Sequence, residues 1–114
     1  RATMDHVFAL QQADGGWSTV ALGGYTRIDN SENDSRTDAY ATALATLGLQ
    51  AAGVSVADGR LRRGLDWLRR NQDHASGHWT AVSPNKQRDP ESDPGKFMSD
   101  AATAYAVLSL TFRP

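Results

Sequence analysis

The 114-residue sequence has no cysteine. That excludes disulfides, thiolate zinc sites and cysteine nucleophiles together. Neither charge dominates: 12 Lys and Arg stand against 13 Asp and Glu, so no global field draws the chain to nucleic acid or anionic lipid. The sequence opens on Arg1 without a charged-then-apolar stretch and stops at Pro114 just after an apolar run, so it is expected to be a piece of a longer protein. A long hydrophobic run is also missing. Residues 39–57 carry no charge, but they are mostly Ala, Thr and Gly and include Gln50 and Ser55, whereas a membrane helix needs about 20 predominantly apolar residues. A helix of small residues enclosed in protein fits better, and no integral membrane segment is expected.

What the chain does have is an internal repeat. "ATALATLGL" (41–49) matches "ATAYAVLSL" (102–110) at six of nine positions with an offset of 61 residues. Upstream, "GGWSTV" (15–20) matches "GHWTAV" (77–82) at an offset of 62, and Phe8 with Gln12 parallels Leu68 with Gln72 at an offset of 60. Three blocks in the same order point to duplication, with repeat 1 at about 2–53 and repeat 2 at about 58–112 of a single domain spanning 1–114.

Each repeat reads as helix, long loop, helix. Met4, Val7 and Phe8 form an apolar stripe before a turn at Asp14, Gly15 and Gly16. In the second repeat Asp58 is an N-cap candidate and Leu61, Leu65 and Leu68 form the stripe. Arg60, Arg62, Arg63, Arg69 and Arg70 stand opposite it as a solvated outer face, locally offset by Asp66. The second helix of each repeat differs in kind. One is expected over 38 to about 52, capped by Thr37 or Ser35, and the other from 100 to about 112, capped by Ser99; Asp38 and Asp100 then lie in the first turns. Tyr40, Leu44 and Leu47 define one face of the earlier helix and Leu49 points the other way, so this helix must be surrounded. The expected architecture is all-α: an arc of two hairpins, each with a wet outer helix and a dry inner one.

Gln12, Gly15 and Trp17, and again Gln72, Gly77 and Trp79, then read as braces. The loop must leave the carbonyl end of an outer helix and reach the N–H end of an inner one, and glutamine can serve either. Glycine permits the tight return. Burying an indole contributes about 4–6 kcal/mol as an upper estimate.

The pattern of an aromatic or leucine, then Gln, then Gly-x-Trp, in "FALQQADGGW" and "WLRRNQDHASGHW", resembles the QW repeats of squalene-hopene cyclases and the related prenyltransferase and squalene cyclase superfamily. "DAYATALATLGL" and "DAATAYAVLSL" look like the inner helices that follow those motifs. The resemblance covers almost the whole chain. It implies an α/α toroid, of which two hairpins are an incomplete arc, and an isoprenoid or other apolar ligand. The cyclases protonate an alkene with the acid of a D-x-D-D motif in an aromatic-lined cavity. This sequence has no D-x-D-D, and "DNSEND" (29–34) spaces its carboxylates differently in a polar loop. The prenyltransferase zinc set fails for want of a cysteine.

Asp38 and Asp100, at equivalent inner-helix starts, are the catalytic candidates, with helix capping as the default role. Tyr40 and Tyr105 are candidates to line a cavity, with core packing as theirs. His74 and His78 flank a probable turn, and Asp29, Ser31 and Asn33 lack the Gly and Glu of a calcium loop, so neither set supports a metal site. No cofactor is implied. The loop at 83–97 is long and polar enough to be functional.

Two function classes follow. Either the chain is the scaffold and cavity wall of a terpenoid-cyclase-like enzyme whose acid lies elsewhere, or it is a non-catalytic α/α module for protein or apolar-ligand binding. The missing acid and aromatic residues at 8% favour the second for this segment, and the resemblance favours the first. Open sides of the inner helices predict self-association, or contact with further repeats of the parent chain.

Overall fold

The computed structural model describes residues 2–23, 36–73, 75–79 and 93–113. Among the described residues there is helix and no strand. The elements are α1 (Ala2–Ala9), α2 (Thr19–Gly23), α3 (Ala39–Ala51), α4 (Gly59–Arg70) and α5 (Asp93–Leu110). None is long and apolar enough to cross a membrane.

α4 follows the sequence closely. Asp58 caps it by accepting from the Arg60 N–H at 2.9 Å, and Leu61, Leu65 and Leu68 are buried while its five arginines are exposed. Burying each leucine contributes roughly 1.5–3 kcal/mol, which accounts for the strong two-facedness of this helix. Of those arginines, Arg69 pairs with Asp66 at 2.8 Å.

The inner helices differ from expectation. Asp38 itself is the N-cap of α3, accepting from Ala41 N–H at 2.8 Å; the cap is neither Thr37 nor Ser35, the latter lying outside the described residues. Nor is Ser99 a cap. α5 begins at Asp93, so Ser99 and Asp100 lie in its interior, and Pro94 stands in the first turn, where a missing N–H costs nothing. The part of the 83–97 loop that is described, 93–97, is therefore helix, and α2 likewise occupies part of the expected loop after Trp17.

The buried side of α3 is built from small residues. Ala39, Ala41, Thr42, Ala43, Ala45 and Thr46 are buried with Leu49 and Gln50, whereas Leu44 is 37% exposed. α3 is thus covered on the sides facing α4 and α5 and open along Leu44 and Gly48, not enclosed all round. Small side chains let α3 and α5 approach closely, and their seam is polar at its centre. Thr46 and Ser109 hydroxyls share a 2.5 Å hydrogen bond, and the Gln50 amide donates to the Ser109 carbonyl at 3.0 Å. Every one of these groups is buried and paired, which fixes the register of two helices that have few large side chains to do so.

Candidate functional site

The two tryptophan loops share the hydrogen bonds of their indole rings and backbone N–H groups. Trp17 is fully buried, and its indole N–H donates to the Val7 carbonyl at 2.7 Å; Trp79 is buried, and its indole donates to Leu68 at 2.8 Å. Each ring thereby satisfies a carbonyl at the end of an outer helix that has no partner within that helix. At the other end, the backbone N–H of Trp17 donates to Thr42 Oγ1 at 2.9 Å and that of Trp79 to Thr103 Oγ1 at 2.9 Å. One residue thus ties the outer-helix end to the inner helix. The indole, not the glutamine, takes the helix-end carbonyl.

The glutamines close the loop instead. Gln72 Nε2 donates to the Gly77 carbonyl at 2.9 Å, and its counterpart is Gln11, which donates to Gly15 at 2.7 Å. Gln12 has a different job: its backbone N–H donates to Gly16 at 2.8 Å and its side-chain oxygen accepts from Thr37 at 3.0 Å. Gly15 and Gly77 have φ of 97° and 77°, the left-handed region that a side chain resists, so both turns require glycine.

The first loop also grips the outer helix of the second repeat. Gln11 Nε2 donates to the Arg60 carbonyl at 2.8 Å, Arg63 donates to Ala13 O at 2.9 Å, and Arg70 donates to Asp14 O at 3.3 Å. The Trp67 indole donates to Asp14 Oδ2 at 3.2 Å. Arg60, paired with Asp58 at 2.9 Å, lays its guanidinium over the Phe8 ring at 3.7 Å. Burial alone would push the Asp14 carboxyl up, but hydrogen bonds from Thr37, the Gly16 amide and Trp67 outweigh it and hold its pKa below the ordinary value.

The acidic candidates are not brought together. Asp38 is buried and accepts hydrogen bonds from Ala41 N–H, from Thr19 N–H at 2.6 Å and from Thr19 Oγ1 at 2.8 Å. Its oxygens hold α2 to the start of α3. Asp100 is exposed inside α5, remote in role from Asp38. Tyr40 and Tyr105 do meet, edge to face, with ring centroids 5.7 Å apart, and pack on the cluster formed by Ala43, Leu68, Trp79 and Ala106.

Among the described residues two open grooves flank α3 and α5, and neither tyrosine lines them. One, of about 490 Å³, is apolar and lies between α1 and α3 along Thr3, Met4, Val7, Leu44 and Gly48. The other, of about 390 Å³, is lined by Gln50, Arg62, Leu65, Asp66, Arg69 and Leu110. Among the described residues no cluster of His, Asp or Glu is placed to hold a metal. His74, Asp29, Ser31 and Asn33 lie outside the described residues, and His78 is exposed.

The α2 helix and the α1–α3 groove leave no mark in the residue pattern, which did not single out the Gln11 bridge either. The glutamine was discoverable: pairing Trp17 with Trp79 and Val7 with Leu68 leaves Gln11 opposite Gln72 at an offset of 61.

Over residues 1–111 the chain matches the family described as the squalene-hopene cyclase C-terminal domain. Neither the curated proteins nor the solved structures give a match.

Proposed function

This chain belongs to the squalene-hopene cyclase C-terminal domain family, and we propose that it supplies scaffold and part of an apolar cavity wall in a cyclase-like protein, not the acid that starts cyclisation. In this reading repeats 2–53 and 58–112 form one arc of an α/α toroid, with α3 and α5 inside. The observation that carries it is the state of Asp38. A proton donor must have its carboxyl free to face an alkene, and both Asp38 oxygens are already accepting from Thr19 and Ala41. Asp100 is exposed on α5, whereas an alkene-protonating acid must sit in a site that excludes water. The wall proposed is the apolar α1–α3 groove along Met4, Val7 and Leu44, since Tyr40 and Tyr105 pack on the core instead, and the ligand is an isoprenoid or a similarly apolar hydrocarbon.

The test is incubation of the chain with squalene, and separately with a shorter polyprenyl alcohol, followed by product extraction and by titration of the intrinsic tyrosine and tryptophan fluorescence. Saturable quenching without cyclised product is expected. A cyclised hydrocarbon made by the chain alone would overturn the scaffold reading. Absence of any binding would favour the second reading, a non-catalytic α/α module, which the full use of Asp38 as a cap also suits.

A further inference from the structure

The five arginines of α4 are not equally engaged. Arg60 pairs with Asp58 and Arg69 with Asp66, while Arg63 and Arg70 donate to the carbonyls of Ala13 and Asp14. Of the five, only the Arg62 guanidinium has no partner among the described residues. It lines the groove of about 390 Å³ beside α4, to which the C-terminal ends of α3 and α5 contribute Gln50 and Leu110. Asp66 lines it too, but its Oδ1 accepts from Arg69 at 2.8 Å. Those two charges offset each other, so the net charge presented to the groove is that of Arg62.

A second group in the same groove is half satisfied. Gln50 is only 7% exposed, and its amide nitrogen donates to the Thr46 carbonyl at 3.2 Å and to the Ser109 carbonyl at 3.0 Å. Two carbonyl acceptors fix which end of the amide is nitrogen. No described group donates to the oxygen at the other end. Because no side-chain oxygen closed off from solvent is left unpaired among the described residues, that oxygen reaches the surface, and the groove is the surface that Gln50 lines. A nearly buried acceptor costs free energy until a donor reaches it. The rest of the lining is largely apolar, with Leu65 buried and Leu110 and Phe112 half-buried.

We propose that this groove binds an N-acyl amino acid with an apolar side chain, a small molecule in which a carboxylate stands next to an amide N–H and hydrocarbon flanks both. The carboxylate matches Arg62, whose planar fork can take both of its oxygens. The N–H supplies the donor that the Gln50 oxygen lacks, and the hydrocarbon covers Leu65, Leu110 and Phe112. Helix ends set the orientation: the C-termini of α3 and α5 carry partial negative charge, which favours the N–H on their side and the carboxylate on the side of α4. A fatty acid satisfies Arg62 and the apolar lining but leaves Gln50 unserved. A neutral hydrocarbon serves the lining alone. The volume lies within the range of about 300–1,000 Å³ usual for small-ligand sites. The isoprenoid reading concerns the separate α1–α3 groove, so either can fail alone.

The test is calorimetric titration of N-octanoyl-leucine into the full chain, into Arg62→Gln, and into Arg70→Gln, which removes the same charge from the same helix outside the groove. Saturable binding by the unaltered chain is expected, at least tenfold weaker in Arg62→Gln and changed less than twofold in Arg70→Gln. Absence of saturable binding, or equal weakening in the two variants, overturns the proposal. The second measurement alters the ligand and leaves the protein as it is. An analogue with an ester oxygen in place of the amide N–H should bind about fivefold more weakly, and decanoate should bind more weakly still. An ester that binds as tightly as the amide overturns the proposal, and so does equally tight decanoate, which would make the groove a site for any apolar carboxylate.

Discussion

Gly64 of α4 lies directly against the Trp17 ring, with no room between them for a methyl group. The contact lets the outer helix of the second repeat settle onto the loop of the first, where Gly15, Arg63 and Trp67 complete the grip.

Gly64→Ala should therefore destabilise the chain although alanine is the better helix former. The intrinsic preference for alanine gains up to about 1 kcal/mol, whereas forcing a Cβ into packed neighbours costs about 1–3 kcal/mol. A net loss of roughly 1–2 kcal/mol is expected in urea unfolding. Gly48→Ala supplies the opposite sign. It sits in α3 with nothing within 4 Å of an added Cβ, so the substitution should stabilise by about 0.5–1 kcal/mol. If both variants shift the urea midpoint in the same direction, the tight contact at Gly64 is not real.

Trp17→Phe removes both the indole N–H and part of the ring volume. The Val7 carbonyl loses its 2.7 Å donor and keeps only the Leu10 N–H at 3.1 Å; losing one hydrogen bond costs about 0.5–1.5 kcal/mol, to which the cavity left by the smaller ring adds. A total of about 2–4 kcal/mol is expected by urea unfolding. Trp79→Phe should behave alike, because Leu68 is served in the same way at 2.8 Å.

The sequence made these two braces visible because the demand behind them is local: a helix end, a turn and a ring recur within a short span, and the recurrence at 61 or 62 residues exposes the pattern. The outer helix α4 was equally plain, since Leu61, Leu65 and Leu68 repeat at helical spacing against five arginines. The inner helices were harder to read. Their large residues are few, so nothing in the pattern told that Leu44 would be half out while Thr42 and Thr46 would be fully in. The boundary of α5 was missed because 83–97 is polar, and polar composition hides a helix whose start is marked only by Asp93 and Pro94. Gln11 and Gln12 are adjacent and chemically identical, so only the hydrogen bonds distinguish the loop-closing one from the one that reaches Thr37.

Acid should loosen the start of α4. The Arg60 side chain and backbone N–H hold the Asp58 carboxyl at about 2 against a model-compound value of 3.8. A folded pKa below the unfolded one gives stability that is fully present above about pH 4 and is lost as pH falls toward 2. Asp14, lowered in the same direction, adds to that loss. Asp58→Asn keeps an oxygen for the Arg60 N–H but cannot ionise, so the urea midpoint of this variant should fall less steeply between pH 4 and 2. A slope equal to that of the unaltered chain would count against the pairing.

Asp38 separates the two meanings of a buried carboxylate. If it is a cap and tether, Asp38→Asn leaves one oxygen to serve donors on Thr19 and Ala41 and turns an NH₂ toward them. Hydrogen bonds to charged groups are worth about 1.5–3 kcal/mol, so a loss of that order is expected in urea unfolding. Thr19→Val removes the hydroxyl donor at 2.8 Å while leaving the backbone donor at 2.6 Å, and should cost about 1 kcal/mol. Because the two residues share one network, the double variant should lose less than the sum of the two single losses. A cap function requires that non-additivity. Were Asp38→Asn instead to leave the urea midpoint unchanged, the carboxylate would be free for chemistry, and its place at the head of α3 would have to be reconsidered as catalytic.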